Sequence, residues 1–170
     1  MNMLFKKSRG RYYLQLVDDL GFIYHIGPAN LENLAVCAYI KGLEDISTHK
    51  YRSSKLLANK GFENLTEAVK VHENAYWNGT TGKSLGKIKN LDMVKCNEKY
   101  TEAYDRQRIH EMLYRRCMET NETLTHNQIR KWVQDKMRNS SEEEYIRLLE
   151  ETDRKLNEAL IRALDSLRAK

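Results

Sequence analysis

Proline is nearly missing: Pro28 is the only one in 170 residues. A chain so free of helix breakers can be helical over most of its length. No apolar run approaches the eighteen or so residues that a membrane span requires, so no span is expected. Residues 1–11 are basic but lack an apolar core and a small-residue cleavage site, so no secretion signal is expected. Cysteine is scarce and odd in number, at Cys37, Cys96 and Cys117. That excludes a disulfide framework and points to reduced thiols in a cytosolic setting. Pairs spaced as CxxC or HxxxH are absent, as is a facial carboxylate set. His110 and Cys117 lie seven apart, and His72 adjoins Glu73. Neither makes a ligand set, so no metal and no cofactor is expected. The serines sit at caps and polar turns, and no cysteine has an active-site context. Nucleophilic catalysis therefore lacks its nucleophile, base and orienting group.

What remains is a charged, basic, helix-rich composition. The chain is 41% hydrophobic and 31% charged, with a net charge of +5. Residues 1–90 carry 13 Lys+Arg against 8 Asp+Glu, residues 91–138 carry 10 against 8, and residues 139–170 carry 6 against 8. Positive potential belongs to the front of the chain, and a polyanion would meet it there.

The clearest pattern covers residues 141–170. Ser140 and Ser141 precede Glu143 and Glu144, two overlapping capping boxes. Ile146, Leu149, Leu156, Leu160, Ala163 and Leu167 then recur at alternating steps of three and four, interrupted by Asp153. Leu148 and Leu164 widen the stripe. This spacing predicts one amphipathic helix about 45 Å long. Its apolar face is covered either by the rest of the chain or by a partner helix, with Ile146, Leu149, Asp153, Leu156, Leu160, Ala163 and Leu167 as the candidate interface. A polar residue such as Asp153 on that face can set register or partner choice.

Earlier in the chain, residues 1–10 read as a loose basic arm with Lys6, Lys7 and Arg9, followed by Arg11. Residues 12–26 alternate Tyr, Leu, Val, Phe and Ile around Asp18-Asp19-Leu20-Gly21, a hairpin pattern. Asn30 should cap a helix to about Leu43, and a short helix is expected over 52–59, stopped by Gly61. Asn64-Leu65-Thr66-Glu67 should open another, with Leu65, Ala68, Val69, His72 and Tyr76 on one side. Residues 78–90 read as the main loop, with Lys83, Lys87 and Lys89 among its glycines. Further helices are expected over 91–119 and 126–138, the second capped by Thr125.

Three local motifs bear on chemistry. Gly79-Thr80-Thr81-Gly82-Lys83-Ser84 has the composition of a phosphate loop, but Trp77 stands where that motif needs its first glycine. A basic loop touching phosphate oxygens, or a plain solvated loop, fits better. Tyr12-Tyr13 with Tyr24-His25-Ile26-Gly27 resembles the paired strands of GIY-YIG nucleases over about sixteen residues. His25 is an insertion there, and Glu32 stands where that family has an arginine. The resemblance implies a small nuclease. Residues 124–138 resemble the DNA-reading helix of homeodomains, which implies Ile129 and Trp132 facing a core. Asp135 departs from that family's adenine-reading asparagine. A generic helix–turn–helix from 106–119 and 126–138 would expose Arg130, Lys131, Lys136 and Arg138. A plain amphipathic helix would bury Ile129, Trp132 and Val133. Ten tyrosines could stack on bases or line core edges.

These readings converge on a mainly α protein: a multi-helix body over 1–138 with one N-terminal β-hairpin, and a long amphipathic helix over 139–170. The expected function is non-enzymatic regulation, with nucleic acid or a nucleoprotein complex as partner. Lys6, Lys7, Arg9, Arg11, Lys83, Lys87 and Lys89 would meet phosphate, with Arg130 and Lys131. The terminal helix would serve homo-oligomerisation, as in a dimer, or hold a helical protein partner. The alternative is an adaptor or inhibitor, of the kind mobile elements encode, acting on a host protein complex.

Overall fold

The computed structural model describes residues 1–48 and 61–169. The helix expected over 52–59 falls outside them. The chain forms three strands and then five helices: β1 (Asn2–Ser8), β2 (Arg11–Val17), β3 (Ile23–Pro28), α1 (Leu31–Thr48), α2 (Leu65–Thr80), α3 (Met93–Thr120), α4 (His126–Asn139) and α5 (Glu142–Arg168). The protein is mainly helical, as its composition demands. No described helix is long and apolar enough to cross a membrane. Two compact units divide the chain, Met1–Ala103 and Tyr104–Lys170, so the break falls within α3. The expected break at 138/139 is the α4–α5 turn inside the second unit.

In the first unit β1, β2 and β3 form an antiparallel sheet in that order. The expected hairpin is thus joined by a third strand, and residues 2–8 are not a loose arm. Met3 and Phe5 point to the same side as Leu14 and Leu16, their partners across the ladder. Two consecutive lysines obscured that alternation in the sequence. Arg9 and Gly10, at φ 50° and 76°, close the β1–β2 connection as a two-residue turn with both residues left-handed. The β2–β3 turn is tied by Asp18, whose buried carboxylate accepts the Phe22 amide at 2.9 Å and the Tyr24 hydroxyl at 2.8 Å.

The sheet lays Leu14, Leu16, Tyr24 and Ile26 on α1. Asn30 caps α1 by accepting the Asn33 amide. The run from Leu34 to Ile40 is buried on every side, because α2 takes the rest of the helix surface. Asn64 caps α2 as its sequence pattern required. Ala29–Glu32 and Gly61–Glu67 lie around one pocket, while Gly42 meets Gly79, so α1 and α2 run in the same direction. At that meeting the backbones touch. A Cβ on Gly42 would strike the Tyr76 carbonyl oxygen, and one on Gly79 would strike that of Tyr39.

In the second unit, Ile109, Met112, Leu113 and Cys117 of α3 form a core with Ile129 and Val133 of α4 and Leu148 of α5. Thr125 and Gln128 make a complete capping box on α4, and Ser141 caps α5 through the Glu144 amide.

Candidate nucleic-acid and partner interfaces

The first basic group lies on the β1–β2 hairpin. Lys6 sits opposite Tyr13 and Lys7 opposite Tyr12. Strand alternation puts Arg11, Tyr13 and Lys6 on the sheet face turned away from α1. Lys7 lies on the other side, its Nζ 5.6 Å from the centre of the Tyr12 ring. Arg9 is at the turn. All four cations are exposed; paired backbone fixes where Lys6, Lys7 and Arg11 are presented, and the tight turn fixes Arg9.

The second group lies on the connection 81–92. This loop starts later than the sequence suggested, because α2 runs on to Thr80 and takes Gly79 into its contact with α1. The resemblance to a phosphate loop ends there. Phosphate loops end at a helix N-terminus, where amides point at the anion. Here the glycines follow a helix C-terminus, whose free carbonyls carry the opposite partial charge. Both threonine hydroxyls are spent on one of those carbonyls: Thr80 and Thr81 donate to the Trp77 oxygen at 3.0 and 2.7 Å. The loop is nonetheless anchored. Leu85 and Ile88 are buried, the Tyr39 hydroxyl donates to the Lys83 carbonyl at 2.9 Å, and Asn78 donates to that of Leu85. Lys83, Lys87 and Lys89 stay exposed on this frame, which leaves Trp77 half exposed at its root. None of the seven cations in the two groups forms an ion pair with a described residue.

On α4 the structure corrects one expectation. Ile129 and Val133 are buried, but Trp132 is 39% exposed, with the Lys136 ammonium 5.4 Å from its ring centre. The buried face of this helix is narrow. It is filled by residues one turn apart, and a side chain one position earlier turns about 100° away from Val133. Lys131 is exposed, Arg130 half-buried with a hydrogen bond to Asn127, and Arg138 lies near Asp135. Asp135 is thus engaged on its own helix.

The helix α5 divides sharply along its length. Leu148 and Thr152 are buried against α3, and the Thr152 hydroxyl donates to the Leu148 carbonyl. Two ion pairs flank this crossing, Arg108 with Asp153 at 2.6 Å and Arg116 with Glu151. Burial opposes the Arg108 charge, yet its hydrogen bonds to Asp105 and Asp153 outweigh that and raise its pKa. Asp153 therefore spends its charge inside its own unit. Every residue from Asp153 to Ala169 is exposed. Of the candidate interface residues, Leu149 is half-buried, while Ile146, Leu156, Leu160, Ala163 and Leu167 face solvent. The spacing pattern did not single out Ile161, which is equally open. A groove of about 760 Å³ separates α3 from this free half, with Glu111, Arg115 and Glu119 on one wall and Lys155, Glu158 and Arg162 on the other.

No family model, no curated protein and no solved structure matches the chain. The chemistry of the site must be read from its own groups. Tyr24, one of the residues that carry the nuclease resemblance, is buried and its hydroxyl donates a hydrogen bond to the Asp18 carboxylate. The three cysteines are free and buried. Burial pushes the Cys37 thiol up, and burial with Glu32 and Asp92 pushes that of Cys96 up to about 11. Both are held as thiols, the unreactive form. Burial first, and then Lys41, lowers His72 to about 4, and burial with Arg106 does the same to His110. Both rings are neutral near pH 7 and packed into cores. No group of three or more His, Cys, Asp or Glu placed to hold a metal occurs among the described residues.

Proposed function

We propose that the protein is a non-enzymatic regulator that binds nucleic acid, alone or in a nucleoprotein complex, through the first unit, and associates with a helix through α5. One observation carries the first part. Seven exposed cations, Lys6, Lys7, Arg9, Arg11, Lys83, Lys87 and Lys89, sit on anchored backbone without an acidic partner among the described residues. Unneutralised cations held in place are what phosphate contact requires, because release of condensed counterions then drives binding. Binding should therefore fall steeply with salt.

The test is fluorescence anisotropy of labelled single- and double-stranded oligonucleotides titrated from low to moderate salt. Each phosphate contact contributes about 0.9 to the log–log slope on duplex DNA. The combined K6A/R9A/R11A variant should reduce the slope by about 3 if all three cations touch phosphate. Binding absent at low salt, or unchanged in the variant, overturns the proposal.

A second reading, an adaptor or inhibitor of a host protein complex, is favoured by the open leucine face of α5. Co-purification of one stoichiometric protein that survives nuclease treatment, with no oligonucleotide binding, would select it.

A further inference from the structure

We infer that the free half of α5 pairs with the same segment of a second copy of this chain. The inference rests on the association role given to α5 above, and it names the occupant of that surface. The starting point is uncovered apolar area. Leu156, Leu160, Leu164 and Leu167 are 44, 54, 53 and 69% exposed, and Ala159 and Ala163 of the same face are exposed as well; Ile161 turns off this face. Each leucine offers roughly 100 Å² of surface still to be covered and each alanine about half that, on the order of 500 Å² for the set. Two copies face to face would remove about 1,000 Å², the threshold of a specific interface, before any polar rim is added.

The residues beside the stripe indicate which helix covers it. Leu156, Leu160, Ala163 and Leu167 are its centre line. Asn157 and Leu164 flank it on one side, Ala159 and Ser166 on the other. None of the four is charged. Flanking charges are what select a different partner in a helix pair. Their absence leaves no such selection from α5 itself; on the Ala159 side the strip borders the groove it shares with α3. Ala159, Ala163 and Ser166 are also small, so two such helices can approach closely. A two-fold pair needs a patch complementary to itself, and an apolar strip with neutral edges is one. Asp153 does not disturb this pairing, because Arg108 already holds it at the inner end of the strip. The strip spans fewer than two heptads, so the association is of micromolar strength and dilutable.

The experiment is light scattering on the full chain across a hundredfold concentration range, with the double variant L160D/L164D beside it. Both leucines are exposed, so the variant should melt like the parent, which circular dichroism verifies. The expected result is a parent mass of twice the chain at high concentration, falling on dilution, and a variant monomeric throughout. Burying two carboxylates per copy in that strip should weaken pairing at least about a hundredfold. A parent that is monomeric across the range overturns the inference. So does a variant that dimerises like the parent, since the pairing surface would then lie elsewhere. A monomeric parent that still binds oligonucleotides leaves the polyanion proposal standing, so the two fail separately.

Discussion

Gly42 and Gly79 show how a single missing atom decides a packing. In an exposed helix, alanine in place of glycine stabilises by roughly 1 kcal/mol. Here the sign reverses, because the added carbon at either site meets backbone of the other helix. Gly42→Ala should destabilise the protein by about 1–3 kcal/mol, measured by urea unfolding. A variant as stable as the parent would show that the helices separate freely. His72 and His110 supply a second prediction. Each ring has a folded pKa of about 4, against an ordinary 6.5. The unfolded chain takes up protons near pH 6.5, and the fold resists them until about 4. Stability is therefore complete above pH 6.5 and drains away as pH falls toward 4, by on the order of 3 kcal/mol for each ring. Melting temperature followed from pH 7.5 to 4.5 should decline, and replacing His110 with glutamine should flatten part of that decline.

Among the elements, caps were the most legible signals in the sequence. Asn30, Asn64, Thr125 and Ser141 each stand before a helix and accept one of its first amides. Such bonds are local, so a few consecutive residues suffice to recognise them. Thr125→Ala and Ser141→Ala should each lower stability by about 1 kcal/mol in chemical denaturation. Less legible was whatever depends on distant neighbours. β1 looked like a loose arm because a strand earns its place by pairing with another, and Lys6-Lys7 hid its alternation. The exposure of Trp132 depends on how wide a face the neighbours of α4 leave for burial, which its own spacing does not record. The extension of α2 through Gly79 was concealed for the same reason: a glycine there marks a loop unless another backbone needs the room. The candidate sites were legible as residue types only. The basic residues could be enumerated, but that they hang on a hairpin turn and on a loop pinned by Leu85 and Ile88 could not. The leucine stripe of α5 was plain in its spacing, whereas the change from covered to open at Asp153 depends on where α3 ends its contact.

For the whole molecule, both units carry exposed cations that form no ion pair with a described residue, and the run of uncovered leucines lies on α5 of the second. If the two act together, a dimer brings two basic units to one polyanion, and its apparent affinity rises through effective concentration alone. L160D/L164D should then weaken binding to a long duplex at least tenfold while leaving a short one, with room for a single copy, unaffected. Anisotropy with the two lengths side by side measures this, and equal loss on both would argue that α5 contacts the ligand itself. The glycine contact between α1 and α2 has a further thermodynamic outcome. It fastens the root of the lysine-bearing connection before any ligand arrives, so little freedom is left there to lose on capture. If the proposed polyanion binds there, calorimetry should accordingly record a less favourable total binding entropy for a variant whose helices have been prised apart at Gly42 than for the parent.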